Sequence, residues 1–166
     1  MKIAIDVHYR ADFAKVVSIE FEDWSSPLPS AIHEVIVTEV EAYESGAFYK
    51  RELPCILQIL KKTPIENIEL IIVDGYVVLN DEGKAGLGMY LYQALEKRVP
   101  VIGVAKKAFL SNTQMVREIY RGQSQNPLMV TSVGIDLEEA AQQVQLMYGP
   151  YRLPDLLRIL DQTTKA

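Results

Sequence analysis

Cysteine is almost missing from this sequence. Cys55 stands alone, so no internal disulfide can form, and a reducing, cytoplasmic setting is the expectation. It falls in a helical pattern, where a single thiol reads as buried filler rather than a nucleophile. Also missing is any run of roughly 18 apolar residues, the length a membrane span needs. The stretch Met1–Asp6 is too short and too interrupted for a signal peptide. There is no basic excess: the net charge is −5, which excludes a general cationic coat for nucleic acid. A nuclease is still allowed, because clustered carboxylates that hold metal ions lower the net charge while serving phosphate chemistry. No Gly-x-Gly-x-x-Gly or P-loop pattern supports a small-molecule nucleotide binder. Repeats, low-complexity tracts and charged tails are absent too. What remains is 166 residues, 49% of them hydrophobic, enough for one core and one domain over residues 1–166.

The hydrophobic period divides the chain. Residues 2–7, 14–21 and 34–41 are rich in β-branched and aromatic residues and read as three strands joined by short connections, hence an antiparallel meander. From Tyr49 to Lys62 the apolar positions Leu53, Ile56, Leu57 and Leu60 take helical spacing, with Pro54 expected near the helix start. A buried strand over 69–73, a helix over 85–97 and a strand over 100–105 follow. Val116–Tyr120 and Leu128–Val133 are expected to pair as a peripheral hairpin. Asp136 is placed to cap a helix over 137–147, and a last helix starts after Pro154. The order predicts an α/β fold: a mixed sheet with antiparallel first three strands and flanking helices, which is also the order of the ribonuclease H-like fold.

Three acids occupy special points. Asp6 lies near the end of the first strand, Asp74 ends the fourth, and Glu52 lies at the beginning of the first helix. If strands one and four are parallel neighbours, Asp6 and Asp74 project from adjacent carboxyl ends, where ligands bind in such sheets. Hard oxygen donors there suit Mg²⁺ or Mn²⁺. Each acid also has a plain structural reading: Asp74-Gly75 as a turn, Glu52 as a partner of the helix dipole. His8, two residues beyond Asp6, reads as a ligand or, more simply, as a surface histidine. Lys106-Lys107 is the best-placed basic pair, directly after a buried strand.

Longer motifs come in a fixed order. Tyr43-Glu44-Ser45-Gly46 leads, then Arg51-Glu52-Leu53-Pro54, then Ile72-Val73-Asp74-Gly75, then Pro100-Val101-Ile102-Gly103-Val104-Ala105-Lys106. The series resembles the endonuclease V family, whose pattern runs Tyr-x-Pro-Gly, Phe-Arg-Glu-Gly-Pro, Asp-Gly and Pro-x-Ile-Gly-Val-Ala-Lys. Glu52 lies six positions after Gly46, the spacing of the family pattern. Ser132-Val133-Gly134-Ile135 is similar to its Ser-Pro-Gly-His, and the resemblance spans roughly residues 3–148.

The resemblance implies a metal-dependent endonuclease that acts on nucleic acid, DNA or RNA, near deaminated bases such as hypoxanthine. It implies metal-binding roles for Asp6, Glu52 and Asp74, an active-site role for Lys106, and nucleic-acid contacts at Tyr43, Gly46, Arg51 and Gly75. Ile135 stands where the family has its last histidine, so Asp136 is the candidate replacement ligand, beside its reading as a helix cap. Tyr76-Val77-Val78-Leu79 replaces a glycine-rich segment, and Ala42 and Ser45 replace prolines. Two functions follow: the endonuclease, or a catalytically weak or inactive relative that binds nucleic acid or a protein partner through the same cleft. No membrane partner is expected, and the oligomeric state is left open.

Overall fold

Continuous buried runs carry the first two strands, and burial alternates only in the third. Lys2–Tyr9 (β1), Ala14–Phe21 (β2) and Ala31–Val37 (β3) form the expected antiparallel meander, with Ile5 opposite Ser18 and Ser18 opposite His33. The computed structural model describes residues 1–38, 48–109 and 111–166, with the side chain of Phe48 excepted. The third strand starts earlier than its pattern suggests, at Ala31 rather than residue 34. Tyr43 and Gly46, both expected at nucleic acid, lie outside the described residues.

Phe48–Leu60 (α1) packs Cys55, Ile56 and Ile59 onto the sheet. Pro54 sits inside this helix rather than near its start. Leu70–Asp74 (β4) pairs in parallel with β1, and Val101–Ala105 (β5) in parallel with β4. Between them, Leu87–Ala94 (α2) is shorter than its pattern. Its start is set by Gly86, where a Cβ would lie 2.5 Å from the Tyr76 carbonyl oxygen. Its end is set by Glu96 and Lys97, both left-handed. Arg117–Ile119 (β6) and Leu128–Val133 (β7) pair as expected, at one end of the sheet. β7 inserts antiparallel beside β5, and the seven strands run β3-β2-β1-β4-β5-β7-β6. Strand β7 is apolar and buried from Leu128 to Val130, which suits an interior position better than an edge.

Leu137–Leu146 (α3) and Asp155–Lys165 (α4) cover the sheet face that carries Ala4, Ile72 and Val104, while α1 and α2 cover the face that carries Ile3, Ile5 and Val73. The core is therefore two layers, one on each side of the sheet. Two arginines set the approach to α4. The buried Arg121 guanidinium donates to the carbonyls of Gln145, Met147 and Gly149, at 3.0, 2.9 and 2.9 Å. Arg152 donates to the carbonyls of Lys106 and Pro127, at 2.6 and 2.7 Å, so the segment before α4 is tied to the end of β5.

Gly103 sits at the point of closest approach in the sheet. A Cβ there would lie 2.5 Å from the Gly75 carbonyl oxygen and 2.7 Å from Thr131 Oγ1. Gly103→Ala is expected to cost about 2 kcal/mol or more in urea unfolding, because the loop after β4 must move to make room. An unchanged midpoint would show that this loop is free to shift.

Candidate metal centre

The parallel pairing of β1 with β4 matches Ile5 to Val73, and the next residue on each strand is an aspartate. Alternation then decides their side. Asp6 follows Ala4, Asp74 follows Ile72 and Lys106 follows Val104, so all three belong to the α4 face of the sheet. Glu52 comes from the other face, on the early part of α1. Asp6, Glu52 and Asp74 line one small cavity between the carboxyl ends of the strands, floored by Ile5, Val73 and Ile56. On the α4 side, Asp6, Asp74, Lys106 and Asp161 line an adjoining cavity backed by Leu157 and Leu160.

Crowding of like charges shows in the acids themselves. Burial, then the Asp74 charge, pushes the Asp6 carboxyl up to about 6. The Thr164 hydroxyl, 2.9 Å from Asp6 Oδ2, and the Val7 N–H, 2.9 Å from Oδ1, pull it back only in part. Glu52 is pushed up to about 7 by burial and then by Asp74 and Asp6, with Arg51 opposing. Asp74 keeps one side open to solvent, yet the protein packed behind it raises its carboxyl too; Lys106 works against that rise and Asp161 with it. Asp161 itself is held by cations: its Oδ1 lies 3.0 Å from Lys165 Nζ and 3.7 Å from Lys106 Nζ.

Of the residues singled out in the sequence, Asp6, Glu52, Asp74 and Lys106 stand at this edge of the sheet. Arg51 lies beside Glu52, its guanidinium 3.5 Å from the centre of the Tyr9 ring, with Nε and the Tyr9 hydroxyl both buried and unpartnered among the described residues. Gly75, with φ +137°, lines a larger cleft next to Asp74. Asp136 must be corrected. β7 runs antiparallel to β5, pairing Val133 with Val101, so residues after Val133 emerge at the opposite end of the sheet. There Asp136 caps α3, its Oδ2 accepting from the Glu139 N–H at 3.1 Å, and Ile135 packs on the core.

The fourth acid is Asp161. Its signal in the sequence is a charge on the wrong stripe: one turn after Leu157 on the buried face of α4, among Leu156, Leu160 and Thr164.

Every donor gathered here is a carboxylate or hydroxyl oxygen, the set that suits a hard divalent cation. Among the described residues, no three Asp, Glu, His or Cys side chains are drawn close enough to ligate one ion together.

With this geometry in hand, comparison with known proteins is informative. A family model described as Endonuclease V matches residues 3–162, which extends through Asp161. The human ENDOV crystal structure superposes with a TM-score of 0.72 at 21% identity, covering 98% of this chain and 82% of that one. Ciona intestinalis Endonuclease V, solved with a 24mer DNA containing an inosine followed by a ribo-adenosine, gives 0.75 at 18% identity, covering 98% and 83%. Marinitoga piezophila Argonaute, solved with guide RNA and target DNA, gives 0.54 at 13% identity, covering 99% of this chain and 29% of that one. No curated protein matches the chain. The mixed sheet is thus ribonuclease H-like.

The raised carboxyls have a consequence for stability. On unfolding, Asp6 and Glu52 return to their ordinary values of 3.8 and 4.5, whereas folded they titrate at about 6 and about 7. Between those limits the folded state binds more protons than the unfolded one, so metal-free stability falls as pH rises through this window. From about pH 4 to about pH 7.5 the pair is expected to remove on the order of 5 kcal/mol. Glu52→Gln should flatten the profile and be the more stable form at pH 7.5 in EDTA. A wild-type profile that rises relative to Glu52→Gln across the window would contradict the crowding.

Proposed function

The chain belongs to the endonuclease V family, and we propose that it hydrolyses a phosphodiester of a nucleic acid at the carboxyl edge of its sheet. The observation that carries this reading is the convergence of Asp6, Glu52, Asp74 and Asp161 from four separate elements beside Lys106. Burying carboxylates this deeply and this close together is costly to a fold unless a cation is meant to relieve it. Asp6 and Asp74 would hold a Mg²⁺ or Mn²⁺ ion, with Glu52 from one side and Asp161 from the other. When bound, that ion supplies electrophilic assistance to the phosphodiester and lowers the pKa of water.

The chain's own residues do the rest. Lys106 directly follows a buried strand, so a rigid element fixes its backbone, while its side chain is 42% exposed and within reach of a phosphate oxygen. Its contact with Asp161 is 3.7 Å long, loose enough to yield to a phosphate. Glu52 accepts a proton from the attacking water, whose oxygen forms a bond to phosphorus as one ester P–O bond breaks. The departing oxygen then takes up a proton from solvent. The substrate class follows the relatives: the Ciona intestinalis protein was solved on inosine-containing DNA, so a strand carrying a deaminated base is the first one to offer.

Labelled inosine-containing DNA and RNA strands with Mn²⁺ test this directly. Cleavage of at least one strand is expected, abolished by EDTA and reduced by about 100-fold or more in Asp74→Asn. Lys106→Ala should lower the rate by about 100-fold while changing stability little, as for loss of one group that meets developing charge. Cleavage of neither strand would overturn the reading. Full activity in Lys106→Ala would remove the lysine from it.

A further inference from the structure

The sheet ends at β3. Among the described residues no strand pairs with its outer side, and an unpaired edge offers a row of backbone N–H and C=O groups to another strand. The two faces of β3 differ. Val35 and Val37 rest on the α1 side of the core, whereas α4 packs over β1 and β2. On the α4 side Ile32 and Ile36 stand 45% and 54% exposed, with exposed Glu34 between them.

Native sheet edges are guarded against a second strand by a lysine or proline, a bulge or a very short strand. β3 has none of these. It holds seven residues, contains neither lysine nor proline, and pairs with β2 without a break from Ala31 to Val37. Its two ionisable side chains are engaged from β2: His33 Nε2 lies 2.9 Å from Glu20 Oε2, and Glu34 Oε1 lies 3.8 Å from Lys15 Nζ. The Glu34 carboxylate, the one charge on the open side, is thus offset from within the chain.

Symmetry decides what this edge fits. Counting outward from Glu34, isoleucine stands two places away on either side, and an apolar residue, Ala31 or Val37, three places away. Run antiparallel against itself about Glu34, the strand sets Ile32 opposite Ile36 of the partner subunit, and Ile36 opposite Ile32 of the partner subunit, on the open face. On the other face Ala31 meets Val37 of the partner subunit, and His33 meets Val35 of the partner subunit. This register keeps like faces together, as a two-fold axis normal to the sheet requires. Its one mismatch is Glu34 against itself, a like-charge pair that weakens the pairing.

We propose that β3 is a self-association edge: two copies join antiparallel through β3, centred on Glu34, as a weak and reversible dimer with one continuous sheet. β3 runs in the same direction as β1, both being antiparallel to β2, so the two-fold turns the second set of acids to the opposite edge of the joined sheet. Both α4 helices lie on one face, with the isoleucines between them. The acids of each copy are complete without the other.

Cysteine trapping reads the register. Glu34→Cys sets one thiol opposite its own copy, within the Cα separation of about 4.4–6.8 Å that a disulfide accepts. Mild oxidation is expected to link it into a dimer on a non-reducing gel. Ile32→Cys alone is expected to give no link, because the two thiols stand roughly 13 Å apart along the strands, while Ile32→Cys with Ile36→Cys restores it. Cys55 is buried and stays out of the reaction. By sedimentation equilibrium the wild type should dimerise with a Kd on the order of 10 µM, weak as a narrow interface requires. Ile36→Lys should abolish the dimer with an unchanged circular dichroism spectrum, and Glu34→Thr should tighten it about threefold by removing the like-charge pair. A wild type that stays monomeric at about 500 µM overturns the proposal, since even a small interface would associate there. A dimer that survives Ile36→Lys, or that links through Ile32→Cys alone and not through Glu34→Cys, overturns it as well.

Discussion

Parallel pairing of β4 between β1 and β5 is the constraint from which the site descends. Three neighbouring strands pointing the same way bring their carboxyl ends to one edge. With Ile5 opposite Val73, the residues that follow are two aspartates with nowhere to go but side by side. The two-residue period of a strand sends both toward the same face and sends Lys106 with them. Once the register is set, charge crowding is unavoidable, and the helices can only modulate it. α1 adds Glu52 from one face; α4 adds Thr164, whose hydroxyl donates to Asp6, and Asp161, which brings Lys165. The cluster is balanced by direct hydrogen bonds and cations, not by solvent alone.

Much of this was legible in the residues. β2 spans the eight residues its β-branched run suggests, and Asp74 closes β4 where the apolar stretch stops. The face shared by Asp6, Asp74 and Lys106 follows from counting residues by twos, provided the strands are neighbours. Elements that failed did so for long-range reasons. Pattern alone tells that 116–120 and 128–133 are strands, but not that β7 lies against β5. That single antiparallel contact sends Asp136 to the far edge, where it caps α3. Asp161 escaped notice because the acids it lines a cavity with, Asp6 and Asp74, come from far earlier in the chain, and no local motif records such a juxtaposition. An acid inside the apolar stripe of α4 was the only trace.

Pro54 and α2 teach a smaller lesson. The first belongs at a helix start by local preference, yet it lies within α1, where the burial of Cys55, Ile56 and Ile59 outweighs the lost hydrogen bond. α2 is cut short at both ends, by the close approach of Gly86 to Tyr76 and by two left-handed residues after Leu95. In both, packing overrules preference, and in both the segment concerned borders the cleft or the acids.

The place of α4 in the chain has a consequence for how the protein comes into being. A chain leaving the ribosome exposes Asp6, Glu52 and Asp74 long before residue 155 has been joined. Until then no Thr164 hydroxyl supports Asp6, no Asp161 faces it, and the sheet face bearing Ala4 and Ile72 has no α4 to cover it. The guanidinium of Arg152, which ties the approach of that helix to the Lys106 carbonyl, also arrives late. The half-made protein therefore carries Asp6, Glu52 and Asp74 without the Thr164 hydroxyl and the Asp161 carboxylate that complete their surroundings.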